Sequence, residues 1–235
     1  MAKLSLNNPL LGTGFLWTIF LFSSAPTITQ AEWYVAGQAG VTLPSIGKGL
    51  TDVDIDSSGV PSGTTMSDRA LKSSILYGAK LGYFFPRAKW FGLETEVYNT
   101  TPHIKQQFTT ITVPGAGSTG GVLAGDHFRV LTWAPANLVF RYPSTRLQPY
   151  IAVGPGVFFA QVKTTQTGFE GSQSSTKLGL NAEAGLRYYI TRHVTAFAEW
   201  KYNYARFNFS ENDTQFGFKA TYSMSHVVFG LGYHF

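Results

Sequence analysis

The chain has 235 residues, a formal net charge of +5 at pH 7 and no cysteine. The lack of cysteine excludes a disulfide scaffold, a thiolate metal site and a lipidated N-terminal cysteine. Charged residues make up 13% of the chain and aromatic residues 15%, and the basic residues are scattered, so the composition gives no support to nucleic-acid binding.

The first 31 residues have the order of a secretory signal. Lys3 precedes an apolar run over 10–22, which is too short to span a bilayer as a helix. A polar, proline-containing stretch follows and ends on the small residue Ala31. We therefore predict a signal peptide over 1–31 that is cleaved after Ala31. The alternative is an uncleaved anchor or a buried strand.

Eight later stretches alternate large apolar residues with small or polar ones. A period of two is typical of a strand with two different faces. Each stretch is long enough to cross a membrane as a tilted strand, which takes roughly 9–11 residues. The eight predicted strands are 32–43, 73–85, 90–101, 127–142, 147–163, 177–190, 194–209 and 219–235.

The connections between these strands alternate between short and long. The segments 86–89, 143–146 and 191–193 are tight turns, and the long polar gaps are 44–72, 102–126, 164–176 and 210–218. Short turns at one end and long loops at the other are typical of an outer-membrane barrel. The sequence predicts an all-β, eight-stranded antiparallel up-and-down transmembrane β-barrel over 32–235. Both termini would be periplasmic. A soluble sandwich or lipocalin is the alternative fold.

Two prolines and the loop composition qualify this picture. Pro135 and Pro155 lie inside predicted strands, where proline cannot donate a ladder hydrogen bond, so we expect bulges or earlier strand ends there. The loops are rich in Gly, Ser and Thr, as in 115–121, which predicts flexible, solvent-exposed segments. Loops 44–72 and 102–126 are the expected partner-binding parts.

Charged residues of both signs fall on the small or polar face of the predicted strands. On the lipid face a Lys or Arg near the midplane would cost roughly 2–4 kcal/mol, whereas opposite charges inside a barrel can pair. An eight-stranded barrel is only just wide enough for its own side chains, which favours structural filling over a conduction path. The predicted interior charge network, structural or pore-lining, comprises Lys80, Glu94, Glu96, Arg141, Glu183, Arg187, Glu199 and Lys201.

One loop has the spacing of a calcium site, in part. Asp52, Asp54 and Asp56 alternate as in a calcium-binding loop, but the sixth position is Ser57 and the twelfth is Gly63, where that loop needs Gly and Glu. A solvated acidic loop and a calcium loop both fit. We predict no metal site and no cofactor.

Catalytic chemistry finds little support. A lipid-modifying barrel would need a nucleophile and a histidine at its outer end, and only His226, with Ser225 and Ser223 nearby, offers them. Adjacent residues of a strand point to opposite faces, so Ser225 and His226 cannot form a dyad. We expect no catalytic residue and no enzyme.

Several segments carry a family resemblance. The segment 149–156 resembles the Pro-Tyr…Gly-x-Gly strand of the outer-membrane protein A-like, porin-like β-barrel family, and 181–188 and 197–202 are similar to that family's sixth and seventh strands. The chain's end resembles the signal that such barrels present to the barrel-assembly machinery. That signal would consist of Val227, Phe229, Leu231, Tyr233 and Phe235.

The resemblance implies the fold and the location well, but the function only broadly, because the family includes structural anchors, adhesins and small pores. We expect a monomer with a structural or surface-interaction role through its loops. A narrow pore is the alternative, and a lipid-modifying enzyme is less favoured. The expected partners are outer-membrane lipid and lipopolysaccharide, the barrel-assembly machinery and an extracellular partner.

Deleting Phe235 tests the assembly signal. Without its terminal aromatic residue the chain should stay in the periplasm or be degraded, because the assembly machinery no longer recognises it. Membrane fractionation of expressing cells measures this, with the truncated and full-length chains side by side. Normal insertion of the truncated chain would contradict the predicted signal.

Overall fold

The computed structural model describes residues 32–44, 46, 49–164 and 170–235, and the predicted signal segment 1–31 lies outside the described residues. Among these residues no helix is long and apolar enough to cross a membrane. The described chain forms antiparallel strands. They are β1 Glu32–Leu43, β2 Gly49–Ile55, β3 Thr65–Met66, β4 Ile75–Phe85, β5 Ala88–Thr100, β6 Gln107–Val113, β7 Gly117–Leu123, β8 His127–Arg141, β9 Leu147–Thr164, β10 Gly171–Tyr189, β11 Val194–Phe209 and β12 Phe218–His234.

Eight strands close into a ring in the order β1, β4, β5, β8, β9, β10, β11, β12, with β12 returning to β1. The closing pair runs from Tyr34 opposite His234 to Leu43 opposite Ser225. These are the eight predicted strands, so the predicted barrel is confirmed. The largest difference is at β10, which begins at Gly171 rather than at residue 177.

The large apolar residues of the period-two pattern face outward. On β12, Phe229, Leu231 and Tyr233 are 61%, 63% and 47% exposed, and the pattern repeats around the ring, as at Leu81 and Ile151. Such a continuous apolar band suits contact with lipid. The ring therefore has an apolar outer wall and an interior lined by the other phase of each strand.

The first two long loops, which the sequence predicted to be flexible, solvent-exposed segments, contain four short strands. β2 and β3 come from loop 44–72, β6 and β7 from loop 102–126, and they pair in the order β12–β2–β3–β6–β7. We call β2, β3, β6 and β7 the loop sheet. It forms because β12 extends past the end of β1, so the residues from Ser223 to Phe218 pair with β2 instead. The segment 115–121, predicted as loop, enters β7 at Gly117.

A single bulge accommodates both prolines, as the sequence predicted. Between the pairs Trp133–Val157 and Leu138–Val153, residues 134–137 of β8 face residues 154–156 of β9, so β8 carries one extra residue. Pro135 and Pro155 lie in this interval. The extra residue also shifts the phase of β8. Because of that shift, the odd-numbered residues from 137 to 141 point into the barrel.

Inward glycines make room for large interior side chains. A Cβ atom at Gly82 would lie 2.3 Å from the ring carbon Cζ of Tyr34, whereas a Cβ at Gly37 on the outer wall would meet nothing within 4 Å. Tyr34 is buried, and its hydroxyl donates to Glu94 at 2.5 Å. Gly82 therefore sets the position of a tyrosine in the candidate site.

The substitution Gly82→Val should destabilise the barrel by about 1–3 kcal/mol, the usual cost of overpacking. Gly37→Val is the matched control and should leave the stability unchanged, because the new side chain enters open space. Urea unfolding in lipid vesicles, followed by tryptophan fluorescence, measures both. Equal unfolding midpoints for the two variants would refute the assigned packing.

Candidate functional site in the barrel interior

We call the end of the barrel with the short turns the turn end, and the end with the loop sheet the loop end. The side chains of the interior form layers between these two ends. Near the middle, the ammonium group of Lys80 is surrounded by four carboxylates. Its Nζ lies 3.1 Å from Glu94, 2.7 Å from Glu183, 2.9 Å from Glu199 and 3.8 Å from Glu96. All five side chains are almost completely buried.

Lys201 is the second cation of this layer. Its Nζ lies 2.5 Å from Glu96, 2.9 Å from Glu183 and 3.0 Å from Glu199. Strand register sets much of this arrangement, because Lys80 is directly opposite Glu96 and Lys201 is directly opposite Glu183. We call the six residues the glutamate–lysine cluster: Lys80, Glu94, Glu96, Glu183, Glu199 and Lys201.

Neutral donors complete the cluster, and the sequence analysis missed them because it considered only charges. Asn181 donates from Nδ2 to Glu96 at 2.9 Å and to Glu183 at 3.0 Å, and Gln38 donates to Glu96 at 3.0 Å. Tyr150 donates its hydroxyl to Glu199. Four carboxylates face only two ammonium groups, so these donors stabilise charge that the lysines do not neutralise.

The two predicted arginines lie outside the cluster, nearer the turn end. Arg187 forms no ion pair with a described carboxylate, and its guanidinium lies over the rings of Tyr34 at 4.4 Å and Tyr150 at 5.2 Å. Stacking on aromatic faces suits a guanidinium better than an ammonium group. The structure therefore brings together six of the eight residues of the predicted network.

Arg141 pairs with Glu32, which was not among the predicted network residues. Its Nη1 donates to the carboxylate at 3.0 Å, and its guanidinium lies 3.5 Å from the ring centre of Phe84. Tyr189 donates its hydroxyl to Glu32 at 2.5 Å, and the Nδ1 of His234 lies 2.6 Å from the same carboxylate. This group closes the turn end of the interior with its own ion pair.

Toward the loop end the interior becomes apolar, which the sequence analysis did not predict. Five side chains, each less than 2% exposed, fill the lumen there. We call them the apolar plug: Phe128, Phe158, Phe207, Tyr222 and Met224. The signal was present in the sequence, because these residues occupy the phase that carries small or charged residues elsewhere in the same strands. The lumen is therefore occupied by charged side chains near its middle and by mainly aromatic side chains toward the loop end.

A cavity of about 500 Å³ lies beyond the apolar plug, beneath the loop sheet. Its walls are mainly aliphatic and aromatic, and among them are Leu50, Val53 and Phe218. Arg69 and Asp126 are its charged lining residues.

The remaining sequence candidates do not assemble into sites. Among the described residues, the only group of acids or histidines close enough to share a metal ion is Glu94, Glu96 and Glu183, where the two lysines are already bound. Asp52, Asp54 and Asp56 do not converge in this way.

The hydroxyl and imidazole candidates are also separate. His226 points inward with its Nε2 2.8 Å from Asn203 Oδ1, whereas Ser223 lies against the hydroxyl of Tyr202 at 3.1 Å. No hydrogen bond joins a described serine to His226, so the arrangement offers no activated nucleophile.

Comparison with known proteins identifies a family that has this architecture. A family model described as the outer membrane protein beta-barrel domain matches residues 15–235. The chain is similar to the outer membrane protein OprG from Pseudomonas aeruginosa, with a TM-score of 0.58, 16% identity and coverage of 88% of this chain and 97% of OprG. It is also similar to Neisserial surface protein A, with a TM-score of 0.51, 14% identity and coverage of 87% and 97%. At these identities the likeness shows the fold alone. No curated protein matches the chain.

Replacing Lys80 by Met should destabilise the barrel by about 3–5 kcal/mol, because it leaves buried carboxylates without their cation. Lys163→Met, at an exposed position of β9, is the matched control and should change stability little. The double variant Lys80→Met with Glu94→Gln should recover part of the loss. Urea midpoints in vesicles measure all three. If the Lys80→Met barrel were as stable as the control, the cluster would not stabilise the fold.

Proposed function

From the premise that the chain belongs to the outer membrane protein β-barrel family and lies in the bacterial outer membrane, we propose that it is a closed barrel that presents the loop sheet as a surface for interaction. One observation carries the proposal: loops 44–72 and 102–126 form strands that continue the wall at β12, while the lumen is filled. A filled barrel with an ordered outer end suits attachment or scaffolding rather than transport.

The orientation follows from the lengths of the connections. Short turns of such barrels face the periplasm and long loops face outward, so the loop sheet lies on the cell surface and both ends of the barrel domain, 32–235, are periplasmic. The preceding residues 1–31 act as the cleaved signal. Insertion through the barrel-assembly machinery uses the aromatic end of β12. The ring has no unpaired edge, which suits a monomer surrounded by lipid and lipopolysaccharide.

The exposed part of the loop sheet suits an extracellular partner. Phe108 and Val122 are directly opposite each other on the β6–β7 hairpin and are 65% and 63% exposed. Because the hairpin lies beyond the lipid-facing wall, this apolar pair faces water, as in many binding surfaces. Among the described strands, β7 pairs only with β6, so its other edge is free for a further strand.

A narrow pore is the second candidate, and the glutamate–lysine cluster is the observation that favours it. Charged groups with several alternative partners could line a path if they exchanged ion pairs. The apolar plug opposes this, because ions would have to pass buried aromatic rings. A lipid-modifying enzyme has no comparable support, because Ser223 and His226 do not meet, and we propose that the protein is not an enzyme.

Two measurements test the proposal together. Refolded protein in a planar bilayer, with folding verified by heat modifiability, should give no single-channel steps. Stable steps that change when Glu94 is replaced by Gln would establish the pore and reject the closed barrel. In parallel, cells that display the protein should adhere to immobilised extracellular-matrix glycoproteins, and the double variant Phe108→Ser, Val122→Ser should lose most of that adhesion.

The control for adhesion is Ile190→Ser, which removes an exposed apolar side chain at the opposite, turn end. It should adhere like the unsubstituted protein. If the loop-sheet variant adheres as well as this control, or if no displayed barrel adheres, the loop sheet is not the interaction surface for such glycoproteins.

A further inference from the structure

The cavity under the loop sheet is built from elements that are distant in sequence. Its lining includes Val53 of β2, Met66 of β3, Ile111 of β6 and Val162 of β9. Its volume of about 500 Å³ lies within the roughly 300–1,000 Å³ typical of small-molecule sites. Because its walls are mostly apolar, the free energy of binding would come chiefly from burying an apolar ligand.

The cavity reaches the outer surface beside the segments around residues 59–61 and 216. Pro61 and Phe216 line the cavity and are also exposed to solvent. The turn before Pro61 is held in place, since Ser57 Oγ accepts from the backbone N–H of Gly217 at 2.5 Å and Asp56 N donates to Gly217 O at 2.9 Å. An extracellular ligand thus has a defined entry side that does not pass through the barrel.

One cation lies in this apolar wall. Arg69 is only 6% exposed, and its Nη1 and Nη2 donate to Thr109 Oγ1 at 2.7 Å and to Ala124 O at 3.1 Å. The nearest described carboxylate oxygen, on Asp126, is 3.9 Å from Nη2, beyond hydrogen-bond distance. Burial lowers the pKa of Arg69, and attraction to Asp126 opposes this. The guanidinium remains charged and is paired only loosely.

We propose that the cavity binds a single aliphatic monocarboxylate taken up from outside the cell. The alkyl chain lies among Val53, Met66 and the other apolar lining residues, and the carboxylate pairs with Arg69. A guanidinium can bind a carboxylate through two parallel hydrogen bonds, so a buried arginine at the wall of an apolar cavity selects an anionic head group over a neutral one. The cavity lies beneath the loop sheet, and Phe108 and Val122, the two residues on which the adhesion test depends, are not among its lining residues.

The test uses the whole protein in phospholipid nanodiscs, so that lipid acyl chains are present throughout. A fluorescent polyene fatty acid serves as the probe, and dodecanoate and dodecanol compete with it. Dodecanoate should displace the probe at a concentration at least about 10-fold lower than dodecanol, the factor expected from one charge-assisted pair. Displacement by neither compound, or by both equally, would overturn the proposal.

Four variants separate the head-group contact from the cavity itself. Arg69→Met should weaken dodecanoate about 10- to 100-fold and leave dodecanol unchanged. Asp126→Asn should strengthen dodecanoate several-fold, because it removes the competing carboxylate, and this gain cannot arise from misfolding. Met66→Trp should abolish displacement by both compounds, because it fills the cavity. Arg129→Met, an exposed arginine outside the cavity, is the matched control and should behave as the unsubstituted protein.

Heat modifiability establishes that each variant is folded before binding is measured. If Arg69→Met and Arg129→Met bind dodecanoate equally well, Arg69 does not hold the carboxylate and the assigned ligand class is wrong. The adhesion measurements are unaffected by that outcome, so failure of this inference and failure of the proposed function can be told apart.

Discussion

The narrow interior of an eight-stranded ring is the constraint on which the rest of this structure depends. Inward side chains are shielded from solvent, so each buried charged group needs a compensating partner inside the ring. The glutamate–lysine cluster meets that demand with two lysines shared among four carboxylates, and amide and phenol groups supply the remaining donors. The cluster is stable because its charges compensate one another, whereas any single member without its partners would be a buried, uncompensated charge.

The backbone is adapted to the same constraint. Gly82 leaves the space that the ring of Tyr34 occupies, which in turn lets the tyrosine hydroxyl reach Glu94. The bulge in β8 turns Asn137 inward, and its Nδ2 then donates to Glu183 at 3.2 Å. Backbone irregularities that look unfavourable in a strand therefore deliver donors to the cluster. Fold and site are one arrangement in this barrel.

The two ends of the barrel differ because the strands differ in length. At the turn end β1 and β12 pair directly, and Arg141 with Glu32 closes the interior. At the loop end β12 extends beyond the end of β1 and pairs with β2, so the wall continues as the loop sheet. The sheet covers the lumen without filling it, and the cavity is the space that remains between them. The proposed interaction surface and the proposed ligand site therefore both lie at the loop end.

The sequence by itself determined the eight wall strands, their two faces and the positions of the short turns. A strand's period of two is a local property, and it is recognisable here because the lipid-facing wall places a large apolar residue at every second position. It also indicated the bulge, since proline cannot donate a ladder hydrogen bond wherever it lies. Only the tertiary structure decided that Arg187 stacks on tyrosines, that Arg141 pairs with Glu32 and that the loops form a sheet over a cavity. Those outcomes depend on which inward side chains meet across the ring. That is set by strand register and closure, which the alternation along any one strand does not contain.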